Sequence, residues 1–149
     1  MKIKNRKGMV QSQLKNFGDR CKEAGLRMTR QRQEIFRAVA SSSEHPCAEQ
    51  VFARVRSKLP NLSLDTVYRT LSSLEEMGLL QRVGLSSKAR FDGDARPHCH
   101  FVCTQCEEVY DVFLLPGEQL SVPSSVRTMG QIRQATVQFK GICKSCQSR

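Results

Sequence analysis

The chain has 149 residues, enough for one ordinary domain or two small ones, and 39% hydrophobic residues without Trp allow only small cores. No apolar run approaches the ~20 residues that cross a bilayer, and the basic start MKIKNRKGMVQSQLKN lacks the apolar stretch of a secretory signal. A soluble cytoplasmic protein with no membrane partner is expected. Lys and Arg number 24 against 14 Asp and Glu, net +10. Residues 1–100 carry 19 basic and 10 acidic side chains, whereas residues 101–149 carry 5 and 4. The first part is suited to a polyanion and the second is not, although charge alone does not separate DNA from RNA or a membrane surface.

In chain order, residues 11–24 read as a helix closed by Gly25. Thr29 is an N-cap for a second helix with Ile35, Phe36 and Val39 as its apolar stripe, ended by Ser41-Ser42-Ser43. A third helix is predicted over 47–58, with Val51, Phe52 and Val55 inward and a turn at Pro60-Asn61. Ser63 then caps a fourth helix with the stripe Leu64, Val67, Leu71, Leu74 and Met77, stopped by Gly78. Short strands Leu79–Val83 and Ala89–Asp92 flank the loop Gly84-Leu85-Ser86-Ser87-Lys88. Three helices and a small hairpin make a winged helix-turn-helix. Strands follow at 99–103 and 108–113, then a short helix near 117–122 bounded by Pro116 and Pro123, and a last strand at about 132–140. The expected class is α+β, with a winged-helix domain over 1–95 and a small C-terminal α/β domain over 96–149; the boundary falls in the Gly- and Pro-containing stretch 93–97.

In a helix-turn-helix the second helix of the pair enters the major groove. Here that is 63–77, whose stripe leaves Asp65, Thr66, Arg69, Thr70 and Ser73 on other faces. Arg69 suits a guanine edge, and Tyr68 a phosphate or a thymine methyl. Thr66, Tyr68, Arg69 and Thr70 are the candidate DNA-binding residues. An amphipathic helix with a merely solvated polar face has the same periodicity. The wing and the N-terminal Lys/Arg run would add phosphate contacts.

Cys103-x-x-Cys106 and Cys143-x-x-Cys146 carry the strongest chemical signal. Four thiolates complete a tetrahedral zinc, which marks a closed structural site. The 36 intervening residues exceed a simple ribbon, so the ion ties distant segments. A thioredoxin-like C-x-x-C sits at a strand-to-helix junction, which neither pair is expected to occupy; disulfides are the other alternative, and seven cysteines cannot all pair.

The three histidines are His45, His98 and His100. His98-x-His100 opens a strand, where period 2 puts both rings on one face. Asp92 ends the wing, Asp111 lies on the partner strand, and His45 precedes the third helix. Together they would form a mixed N/O site suited to Fe(II), Mn(II) or Zn(II). Drawing on both domains, it would fix their relative orientation and select the DNA-competent arrangement. The bland alternative is a scatter of surface polar residues.

Leu26-Arg27-Met28-Thr29-Arg30-Gln31-Arg32, His45-Pro46, Leu64-Asp65-Thr66-Val67-Tyr68-Arg69-Thr70-Leu71, Arg90-Phe91-Asp92, His98-Cys99-His100 and both C-x-x-C pairs resemble the ferric uptake regulator (Fur) family from about residue 14 to 146. The resemblance implies a homodimer with N-terminal winged-helix domains and C-terminal dimerisation domains, binding a double-stranded DNA operator. Within the family the chain looks most like the peroxide-sensing (PerR) branch, for which the matching ligands are His45, Asp92, His98, His100 and Asp111. The iron-sensing branch tends to carry Glu where Asp92 and Asp111 stand and has further histidines downstream. The zinc-sensing branch often has a cysteine just before the Arg90-Phe91-Asp92 stretch. In the peroxide branch Fe(II) reacts with hydrogen peroxide, a ligand histidine (His45 or His98) is oxidised and DNA is released, whereas Mn(II) gives a repressor that peroxide barely touches. Arg69 looks more like the iron branch.

The expected function is therefore a metal-dependent repressor with structural zinc and regulatory Fe(II) or Mn(II), not an enzyme, with no small-molecule substrate beyond metal and peroxide. An iron-responsive repressor is the near alternative, and a zinc-binding protein adaptor the distant one. Cys21, Cys47 and Cys99 read as small buried hydrophobes, with a thiol redox sensor as the alternative.

Overall fold

The computed structural model describes residues 6–85, 88–132 and 134–149. Ser86 and Ser87 of the expected wing loop, and the start of the N-terminal basic run, lie outside the described residues. The chain divides into two compact units, up to Ala95 and Arg96–Arg149.

The N-terminal unit holds α1 (Arg6–Glu23), α2 (Arg30–Ala40), α3 (Ala48–Val55), α4 (Leu64–Glu76), β1 (Gln81–Val83) and β2 (Arg90–Asp92). Val10, Phe17 and Cys21 form the buried stripe of α1, and Phe17 stacks on Phe36 of α2 with ring centroids 4.9 Å apart. Thr29 accepts from the Arg32 amide and Ser63 from the Thr66 amide, so α2 and α4 start where a hydroxyl satisfies an orphan N–H. Val51 and Val55 of α3 and Val67, Leu71 and Leu74 of α4 complete a continuous core with Leu80 and Phe91. Helix α3 is shorter than 47–58, because the chain turns after Val55 to bury Leu59 and Leu62. Gly78, at φ +70°, ends α4 in the left-handed conformation expected of a C′ residue. Strands β1 and β2 pair antiparallel, Arg82 opposite Phe91, and complete the winged helix-turn-helix. Just beyond β2 the backbone passes so close to α2 that a Cβ on Gly93 would stand 2.7 Å from Ala40 Cα, so only glycine fits.

The C-terminal unit is a three-stranded sheet in the order β4-β3-β5, with β3 (Cys99–Cys103) central, antiparallel to β4 (Val109–Val112) and parallel to β5 (Gln138–Gly141). Two short helices accompany it, α5 (Ser124–Met129) and α6 (Lys144–Gln147). The helix expected at 117–122 is not there. Pro116-Gly117 forms a turn, with Gly117 at φ +92°, and Pro123 begins a helix instead of ending one. Proline lacks only an N–H that a first turn leaves unpaired anyway. The last strand is shorter than 132–140, and α6 after it was not expected.

Candidate functional site

The register of β3 and β5 sets Cys103 opposite Gly141, so Cys103-x-x-Cys106 leaves one strand beside the point where the chain enters Cys143-x-x-Cys146. The four Sγ atoms lie within 4.8 Å of one another, and Cys106 and Cys143 are 3.8 Å apart. Sulfurs about 2.3 Å from a tetrahedral zinc stand about 3.8 Å from each other, so the cluster has the size of a closed zinc site and is far wider than a disulfide. The amides of Cys106 and Cys143 point at Cys103 Sγ (3.5 and 3.3 Å) and hold its thiol down to about 6, while the neighbouring Cys143 thiol pushes Cys146 up to about 12. Four sulfurs this close do not all ionise unless a cation joins them. Contrary to expectation, Cys143 does stand at a strand-to-helix junction, as the N-cap residue of α6. The second C-x-x-C beside it, and not its local context, separates it from a redox motif.

On the same sheet His100 of β3 lies directly opposite Asp111 of β4, and His98, two residues earlier, shares its face. His98 Nε2 is 3.1 Å from His100 Nε2, and Asp111 Oδ1 is 3.4 and 3.5 Å from these two nitrogens. Ligands about 2.0–2.2 Å from one ion stand about 2.8–3.6 Å apart, so this triangle matches one face of a coordination sphere. Both imidazoles are buried, and Asp111 is largely covered. His98 Nδ1 lies 2.7 Å from the Arg96 carbonyl, which only accepts, so the proton sits on Nδ1 and the Nε2 lone pair is left for a metal. Cys99, between the histidines, is buried.

The N-terminal unit brings together the other two expected donors. The Phe91 amide donates to the Pro46 carbonyl at 3.1 Å, stitching β2 to the loop before α3. This sets Asp92 beside His45, their donor atoms within 4.8 Å and both residues almost fully buried. His45 has φ +49°, a left-handed conformation that costs a non-glycine residue on the order of 1–3 kcal/mol and gathers at functional sites. Asp92 Oδ1 also accepts from the Asp94 amide at 3.0 Å, which fixes its rotamer.

On α4, Tyr68 and Arg69 are exposed, while Thr70 is buried. Thr70 therefore leaves the set of DNA-facing candidates: positions 67, 70, 71 and 74 are one helical face, and Thr70 completes the inward stripe. The Thr66 hydroxyl is 2.8 Å from the capping Ser63 hydroxyl. Tyr68 donates to Glu49 of α3 at 2.5 Å, a bond that raises the phenol's pKa and lowers the carboxylate's. Arg69 pairs with Asp65 one turn away, at 2.5 Å.

The family model that matches residues 23–123 is that of the ferric uptake regulator family. The chain belongs to the ferric uptake regulator family. A peroxide-responsive repressor PerR from Staphylococcus aureus is 29% identical over 129 residues, covering 86% of this chain and 87% of the relative. The Helicobacter pylori ferric uptake regulator, described with three functional metal-binding sites, superposes with a TM-score of 0.68 at 23% identity over 93% of each chain. A zinc uptake regulator solved with zinc and DNA superposes with a TM-score of 0.62 at 21% identity, over 93% of this chain and 95% of that one. Regulators of the ferric uptake family bind DNA operators, typically as dimers, and are not enzymes. The chain is a metal-dependent DNA-binding transcriptional regulator.

Two contributors to this regulator's donor set were not foreseen. Phe113 stacks on His98 (centroids 5.0 Å apart), and Arg96 supplies the carbonyl that accepts the His98 Nδ1–H hydrogen bond. Period 2 from Asp111 points to Phe113; nothing in the sequence marks a backbone carbonyl. No helix among the described residues is long and apolar enough to cross a membrane.

Proposed function

We propose that this regulator is a cytoplasmic, homodimeric repressor that senses hydrogen peroxide, with zinc on Cys103, Cys106, Cys143 and Cys146 and Fe(II) or Mn(II) joining the donors of its two units. The observation that carries the reading is the division of the donors. The C-terminal unit holds His98, His100 and Asp111 in a triangle of 3.1–3.5 Å, and the N-terminal unit holds His45 and Asp92. Neither set alone fills the sphere of a divalent ion. One ion taking both would couple the DNA-binding unit to the dimerising unit, so metal binding selects one arrangement by differential affinity.

Held by these donors, Fe(II) would supply the reduction of hydrogen peroxide, with oxygen added to a ligand imidazole, His45 or His98; Mn(II) would satisfy the same nitrogen and oxygen donors without that chemistry. The residues do the rest. The Arg96 carbonyl keeps the His98 Nε2 lone pair available, burial excludes water, and the strained loop at His45 presents an imidazole whose oxidation would remove a donor. The PerR relative supports the peroxide assignment by name and by likeness along 86% of this chain.

Support for the homodimer comes from the surface. Among the described residues, nine of the eleven exposed large hydrophobics lie beyond Arg96, including Leu115, Leu120, Val126, Met129, Phe139 and Ile142. So much apolar surface on 54 residues calls for burial against a second copy. We assign the DNA contacts to Thr66, Tyr68 and Arg69 of α4.

The test uses an operator selected from random duplexes by the manganese-loaded protein. One equivalent of peroxide is expected to release DNA from the iron-loaded protein and not from the manganese-loaded one. Release by chelation alone, with peroxide inert on the iron form, would make the protein an iron-responsive repressor.

A further inference from the structure

Resting on the reading of His98 as a metal ligand, we propose that Phe113 is a positioning residue for it, an aromatic plate that locks the imidazole in the one orientation presenting Nε2 to the ion. His98 stands one residue before β3, so the sheet ladder that fixes His100 does not extend to it. An unrestrained imidazole turns readily about χ2, exchanging the places of Nδ1 and Cδ2.

Two contacts remove that freedom. On the edge, Nδ1 donates to the Arg96 carbonyl at 2.7 Å. On the face, the Phe113 ring stacks at a centroid distance of 5.0 Å and an interplanar angle of 26°, within the range of favourable offset stacking. The Arg96 guanidinium carbon stands 4.7 Å from the Phe113 centroid and holds that plate in turn. Arg96 therefore acts on His98 twice, through its carbonyl directly and through its side chain by way of Phe113. Asp111, two residues before Phe113, completes the triangle, so one short stretch of chain provides both a ligand and the clamp for another ligand.

Leucine would fill much the same volume without a flat face, and tyrosine would keep the face. The full-length zinc-loaded protein would be compared with Phe113→Leu and Phe113→Tyr. Nitrogen-15 NMR without the regulatory metal reads the His98 tautomer, and manganese titration followed by electron paramagnetic resonance reads affinity. Wild type and Phe113→Tyr are expected to show one Nδ1–H tautomer and manganese affinities within about 2-fold, while Phe113→Leu shows averaged nitrogens and binds about 10-fold more weakly, with zinc content unchanged. A single tautomer and full affinity in Phe113→Leu would overturn the proposal, as would equal losses in both variants. Should Phe113→Leu not fold, Arg96→Met keeps the carbonyl and removes the guanidinium. It is expected to weaken manganese binding about 2–5-fold, and no loss would count against the stack. Wild-type manganese affinity in His98→Ala would refute the reading of His98 as a ligand, while the NMR contrast still decides the role of Phe113.

Discussion

The two units are stabilised in different ways. The N-terminal unit closes on a continuous apolar core that includes Phe17, Ile35, Phe36, Val51, Val67, Leu71 and Leu74, all shut off from solvent. In the C-terminal unit, among the described residues, Phe101 packs against the sulfur cluster, and Leu115, Met129 and Phe139 are exposed. One unit is built around buried hydrocarbon, and the other, on the proposed reading, draws on a metal and a second copy. On the proposed reading, the DNA-binding unit keeps its own core while the donors held in each unit govern its response to metal.

That contrast breaks most visibly at the zinc. Cys143→Ser should abolish zinc binding and unfold the C-terminal unit while α1–α4 keep their helical signal, because structural zinc contributes on the order of 10 kcal/mol. Zinc analysis with circular dichroism checks it. The converse is Phe36→Ala, expected to destabilise the N-terminal unit by about 3–5 kcal/mol in urea melts and to leave zinc content unchanged. Asp111→Asn should keep zinc and both folds but lose at least ~10-fold in manganese affinity, read by titration.

On the DNA face, Arg69→Ala is expected to lower operator affinity by about 1–3 kcal/mol, whereas Thr70→Val leaves it unchanged because Thr70 faces the core. The smallest effect belongs to Cys21, whose thiol burial pushes up. A raised value means less thiolate at any pH below it, so alkylation near pH 8 should lag a free thiol until urea unfolds the unit.

Most of this division was legible in the sequence, and the exceptions are instructive. Caps at Thr29 and Ser63 and the stripe 67, 71, 74 are local signals, and local signals located α2 and α4. The facing of His98, His100 and Asp111 followed from strand period and pairing. Thr70 reads as outward because a single polar residue inside a stripe shows its burial only once the neighbouring helices are present. Pro123 reads as a stop because proline both ends and begins helices, and only the flanking chain decides which. Tyr68–Glu49 and Arg96–Phe113–His98 depend on tertiary contact and leave no periodic trace.

The most direct test of the account loads anaerobic protein with Fe(II), adds one equivalent of hydrogen peroxide and maps added oxygen by peptide mass spectrometry, with a Mn(II) control. Oxygen on His45 or His98 in the iron form alone is the predicted result. Unmodified histidines, with oxidised Cys21, Cys47 or Cys99 or with no modification at all, would contradict it.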